Sequence, residues 1–152
     1  MRLRIARMAA GLAAVLILTA RATGGVPTTM QSPPNPVLMF LGQEYYETGG
    51  KQWTRYGYAV ANSEAYPNEL FAAAPDLPPC GQNTRAARTW VDIYAQDGKR
   101  LNGFCALTNR DGLGQLWFAL ESGVIPPSWV YVEMVDRRTN SKYKSGLTET
   151  TL

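Results

Sequence analysis

The sequence predicts an all-β domain, a single antiparallel β-sandwich closed by one disulfide, and three observations carry that prediction. Beyond residue 52 the apolar residues come in short runs that mostly alternate with polar ones, the period of strands half buried on one face. Turn residues separate those runs at close intervals, and no amphipathic run of helical length follows the N-terminal segment. A small β-barrel is the alternative way to pair the same strands.

The chain has 152 residues, about one domain on a prior of ~150 residues. A hydrophobic fraction of 45% against 18% charged residues is too apolar for a disordered chain and sufficient for one core. The absence of histidine excludes Ser-His-Asp triads, Cys-His dyads and every zinc site that needs imidazole.

The N-terminus reads as an address. Arg2, Arg4 and Arg7 precede an apolar run over residues 8–18, followed by Thr19-Ala20-Arg21-Ala22, the order of a secretory signal peptide over residues 1–22 with cleavage after Ala22. The run is about eleven residues, short of the ~20 that span a bilayer as a helix, so no permanent span is expected after cleavage. The cysteines, Cys80 and Cys105, lie far from the cleavage site, which excludes a lipoprotein signal, since that needs a cysteine immediately after it. A secreted or periplasmic protein is the expectation. Cleavage would also remove four of the fifteen basic residues and no acidic one, leaving eleven against twelve and a net charge of −1. The formal +3 of the whole chain thus belongs to the address and argues for no nucleic-acid partner.

Residues 23–37 (TGGVPTTMQSPPNPV) have neither helical nor strand period and read as a flexible Pro/Gly/Thr-rich leader, with the β domain over residues 38–152. The first expected strand is residues 53–62, with Tyr56, Tyr58 and Val60 on one face. Residues 65–81 (AYPNELFAAAPDLPPCG) follow; Pro67 and the prolines after Ala74 favour an ordered loop with at most a short helical turn. The second strand is residues 88–94, with Thr89, Val91 and Ile93 on one side and Trp90, Asp92 and Tyr94 on the other. Asp97-Gly98 is a hairpin turn signal leading into residues 101–107. Gly112 and Gly114 mark a turn before residues 115–120, and Pro126-Pro127 precede the strand at residues 129–136. Residues 137–141 turn back into residues 142–145, and Arg137, Arg138, Lys142 and Lys144, the densest basic cluster, read as a solvated hairpin tip.

Cys80 and Cys105 are the only cysteines, and the export context favours their pairing. Closing a loop of about 26 residues contributes roughly 3 to 4 kcal/mol in the chain-entropy picture. A redox role is disfavoured, because there is no C-x-x-C and no adjacent basic group to lower a thiol pKa.

Candidate sites follow from residue type. Asp92 and Glu133 lie in expected strands and would be the pair for acid–base work on a glycan, although solvent-facing alternation explains them as well. Asp97-Gly98 and Asn109-Arg110-Asp111-Gly112 lack the D-x-D-x-D-G spacing of a calcium loop and read as turns, so no metal and no cofactor is expected. Aromatic residues are the more suggestive feature: four Trp, eight Tyr and four Phe, all beyond the signal. Alternation sets Trp90 and Tyr94 opposite Val91 and Ile93, and Trp129 and Tyr131 opposite Val130 and Val132. If those rings face outward they form a recognition surface. In the long loop, Tyr66 and Phe71 are candidates for binding or for holding the loop to the core.

The strings AYPNELFAAAPDLPPCG, RTWVDIY, GFCAL, LWFAL and PPSWVYVEMVDR resemble a group of small exported bacterial proteins of unknown function, over about residues 56–145. The resemblance implies an immunoglobulin or fibronectin type III-like sandwich and transfers no catalytic or ligand residue. Together these readings predict an exported, non-enzymatic domain that recognises a protein or cell-envelope component through the stapled loop and an aromatic strand face. The alternatives are a small carbohydrate-binding or carbohydrate-active domain using Asp92 or Glu133, and a purely structural envelope domain.

Overall fold

The computed structural model describes residues 32–80, 82 and 86–150. The expected signal peptide and the first part of the leader lie outside the described residues. The described residues form eight strands: β1 (Leu38–Thr48), β2 (Lys51–Val60), β3 (Thr89–Ala95), β4 (Arg100–Phe104), β5 (Leu116–Glu121), β6 (Trp129–Asp136), β7 (Ser141–Lys144) and β8 (Thr148–Glu149). They form two antiparallel sheets, β1-β2-β5 and β4-β3-β6-β7, with β8 paired to β6. The chain crosses between sheets after β2, β4 and β5, the arrangement of immunoglobulin-type sandwiches.

The inner faces follow the alternation in the sequence. Tyr56, Tyr58 and Val60 from β2 and Leu116 and Phe118 from β5 meet Val91, Ile93, Val130, Val132 and Met134 from the opposite sheet, and all are buried. Phe118 stacks with both Tyr56 and Tyr58, at 5.0 and 5.9 Å between ring centroids. The Tyr58 hydroxyl reaches this core without a hydrogen-bond partner, and burial pushes its pKa up.

The barrel alternative does not hold, because among the described residues no ladder joins the sheets. Single side-chain bonds stitch the two seams instead. Asn102 Nδ2 on β4 donates to the Trp117 carbonyl on β5 at 2.7 Å, and Thr148 Oγ1 on β8 donates to the Leu38 carbonyl on β1 at 2.9 Å.

The longest strand, β1, was not anticipated. A bulge between Phe40 and Gly42 breaks its alternation, and beyond the bulge it is an edge strand with mostly exposed side chains. Part of the expected leader is also held in place. The Tyr66 hydroxyl donates to the Pro34 carbonyl at 2.6 Å, Asn62 Nδ2 to the Asn35 carbonyl at 3.0 Å, and the Lys144 N–H to Asn35 Oδ1 at 3.3 Å. Residues 34–37 therefore pack as part of the domain rather than as a free leader.

The long connection contains two short 3-10 turns, Ser63–Ala65 and Asn68–Leu70, as its prolines allow. It is fastened at several points. Cys80 and Cys105 form the expected disulfide with Cα atoms 6.0 Å apart. Arg137 donates to the Pro78 carbonyl at 2.7 Å and Arg138 pairs with Asp76 at 2.9 Å, so the basic β6–β7 turn is a clamp on the loop and not the solvated tip expected. Beneath it, Asp136 is 2% exposed. Its carboxylate accepts two bonds from Arg88 (2.9 and 2.6 Å), one from the Arg138 N–H and one from the Thr139 hydroxyl. Chiefly the Arg88 hydrogen bonding holds the Asp136 carboxyl at about 2, below its ordinary 3.8.

Candidate binding surface

The β4-β3-β6-β7 sheet turns an ordered set of side chains outward. The register pairs Tyr94 with Tyr131 and Asp92 with Glu133 across β3 and β6, and Glu133 with Lys144 across β6 and β7. Since residues opposite in register point to the same side, these side chains stand on the face away from the core. Tyr94 and Tyr131 stack on each other, 5.3 Å between centroids with planes 16° apart. Lys144 Nζ lies 3.9 Å from the Tyr131 ring centre. Farther along the face Arg137 covers Trp90, with its guanidinium carbon 4.1 Å from the ring centre. Trp129, at the start of β6, is 37% exposed.

The carboxylates between these rings are each engaged by a cation. Arg100 pairs with Asp92 at 2.7 Å and Lys142 with Glu133 at 3.0 Å. Gly103, opposite Asp92 in register, leaves the space that Arg100 occupies: a methyl group there would collide with both the guanidinium and the carboxylate. The Tyr94 hydroxyl is pushed up by partial burial first, and then by the negative charges of Asp92 and Glu133. The result is a neutral aromatic rung beside a row in which the neighbouring carboxylates Asp92 and Glu133 are flanked by Arg100 on one side and Lys142 on the other.

The candidates in the stapled loop are corrected. Tyr66 and Phe71 are both fully buried, edge to face with each other at 6.5 Å, so neither ring stands at the surface. Burial pushes the Tyr66 hydroxyl up to about 12. Both rings belong to the buried core, Tyr66 also meeting Tyr143 edge to face at 6.3 Å. A loop has no period from which a ring's direction can be read, so the sequence left both roles available. Of the strand candidates, Trp90, Tyr94, Trp129 and Tyr131 lie on one outer face, as alternation placed them.

A second cluster was missed. On the outer face of the other sheet, Arg55 lies between Tyr46 and Trp117, 5.4 and 4.8 Å from their ring centres, with Trp53 beside Tyr46 in register. The signal was available for Trp53, Arg55 and Trp117, which alternate with the buried Thr54, Tyr56, Leu116 and Phe118. Tyr46 lies on the strand that was not anticipated. The loop between β5 and β6 also exposes apolar side chains, Ile125 being 89% exposed, beside a shallow groove of about 240 Å³ lined by Leu101, Leu120 and Pro126 among others.

Asp97 Oδ1 accepts the Lys99 N–H at 2.9 Å, closing its own turn, and among the described residues no group of three or more His, Cys, Asp or Glu comes together. Among the described residues no helix is long and apolar enough to cross a membrane.

No protein-family model, no curated protein and no solved structure matches the chain. The resemblance to small exported bacterial proteins finds no support among these comparisons.

Proposed function

We propose that this chain is an exported, non-enzymatic binding domain that recognises a protein or cell-envelope component through the outer face of β3 and β6. The observation that carries the reading is the stacked Tyr94–Tyr131 pair with Trp129 exposed beside it. Rings immobilised by stacking and by Lys144 lose little conformational entropy on contact, which is how Tyr and Trp anchor protein interfaces. Their surround of paired charges, Arg100–Asp92 and Lys142–Glu133, supplies a polar rim.

The same geometry favours a protein over a glycan on this face. A sugar stacks on a free aromatic face. Tyr94 and Tyr131 cover one another, Lys144 lies over Tyr131, and Arg137 lies over Trp90, so these rings offer edges and hydroxyls. Support for export comes from the Arg-rich, apolar, small-residue order of residues 1–22 and from the Cys80–Cys105 disulfide.

The test is a cross-linking capture from the envelope and medium of the source cells, read by mass spectrometry, with the protein and its Trp129→Ala/Tyr131→Ala variant. A single partner recovered with the parent and lost with a variant of unchanged melting temperature is the expected result. Capture that does not respond to the two substitutions overturns the reading.

A further inference from the structure

Among the described residues, every sheet edge other than the later half of β1 is short, basic or covered. The β7 edge is short and carries Lys142 and Lys144; the β4 and β5 edges abut each other through the Asn102 bond; β8 has two residues. In contrast, β1 is eleven residues long and contains no Lys, Arg or Pro; its own guards are the Phe40/Gly42 bulge near its start and Glu44 and Glu47 beyond it. Thr148 and β8 cover only its start, at Leu38. From Gly42 to its end at Thr48 the strand runs without a bulge, with Tyr45 70% exposed.

We infer that this half of β1 is a self-association edge, pairing antiparallel with the same segment of a second copy about a two-fold axis at Tyr45. The side-chain pattern selects that occupant and that register. Gln43, Tyr45 and Glu47 share one face, with Glu44, Tyr46 and Thr48 on the other, as their partners on β2 show. A two-fold pairing must match faces, so its axis passes through a residue. Centred on Gln43 it would set the long strand across the Phe40/Gly42 bulge, and centred on Glu44 it would oppose two carboxylates. Centred on Tyr46 it pairs only five residues, 44–48.

Centred on Tyr45 it pairs residues 42–48. Tyr45 meets Tyr45 of the second copy, Glu44 meets Tyr46, Gln43 meets Glu47, and no like charges face each other. The pairing joins two three-stranded sheets into one of six strands and covers the most exposed aromatic ring of the domain. It uses neither β3 nor β6, so it stands apart from the recognition face proposed above.

Sedimentation velocity over a concentration series of the purified protein tests the pairing. The small contact predicts a reversible monomer–dimer equilibrium, with the dimer populated by about 1 mM. Tyr45→Lys should shift that equilibrium at least tenfold toward monomer while leaving the melting temperature unchanged, because the side chain is exposed. Under mild oxidation Tyr45→Cys should give a covalent dimer and Tyr46→Cys should not. A protein that stays monomeric to about 1 mM overturns the inference. So does a dimer that is insensitive to Tyr45→Lys, or one cross-linked equally through both cysteines. Trp129→Ala should leave self-association intact, so this inference and the recognition face fail independently.

Discussion

The Asp136 carboxylate makes a quantitative link between one residue and the pH dependence of stability. Its pKa falls from 3.8 in the unfolded chain to about 2 in the fold, and it is 2% exposed, so solvent screens the effect little. At 1.36 kcal/mol per unit the shift corresponds to about 2.5 kcal/mol of folding free energy. Because the folded pKa is the lower one, this contribution is complete above about pH 5 and is lost as pH falls through 4 toward 2. About two thirds of it is gone by pH 2.5. Asp136→Asn keeps the shape but leaves Arg88 without its charge partner. Urea unfolding should show the variant about 2 to 3 kcal/mol less stable at pH 7, with the gap narrowing below pH 4. A gap that is constant from pH 7 to pH 2.5 would refute the assignment, since it would show that Asn is penalised for shape or hydrogen bonding alone.

Other substitutions separate packing from surface roles. Tyr58→Phe removes a buried hydroxyl without a partner and should leave stability unchanged or raise it by about 1 kcal/mol, read from the urea midpoint. Phe71→Ala should cost about 3 to 5 kcal/mol in the same assay, as a fully buried ring does. Reducing the disulfide, or replacing both Cys80 and Cys105 by Ser, should lower stability by about 3 kcal/mol in the chain-entropy picture. In thermal melts, Tyr66→Phe should cost about 1 kcal/mol through the lost bond to the Pro34 carbonyl.

How far the fold was legible depends on where each strand sits. In β2, β3, β5 and β6 every second residue is buried or nearly so, and the sequence carries that alternation as Tyr56-x-Tyr58-x-Val60, Val91-x-Ile93 and Val130-x-Val132-x-Met134. Period two is visible because one face is dry. At the edge, β1 has no such contrast: the bulge reverses which residues face inward, and beyond it both sides meet solvent. The aromatic outer face of β3 and β6 was legible for the same reason as the core, being its complement in the alternation. Its covering cations were not, because Arg137 and Lys144 reach Trp90 and Tyr131 by strand pairing that sequence spacing does not reveal. The loop rings were illegible in principle, since Tyr66 and Phe71 owe their burial to contacts with distant segments such as Tyr143.

The stitching between the ends of the domain constrains the order in which it can be completed. Asn35 meets Lys144 across 109 residues, and Thr148 meets Leu38 across 110. A chain delivered N-terminus first can form the β1–β2 hairpin early, but it cannot seal that hairpin's starting edge until almost all of it has emerged. Closures of such long range are slow to form. Residues 141–149 thus act as the fastener of a sandwich whose first strand has waited for them, and removing them would leave open the seam at the beginning of the domain.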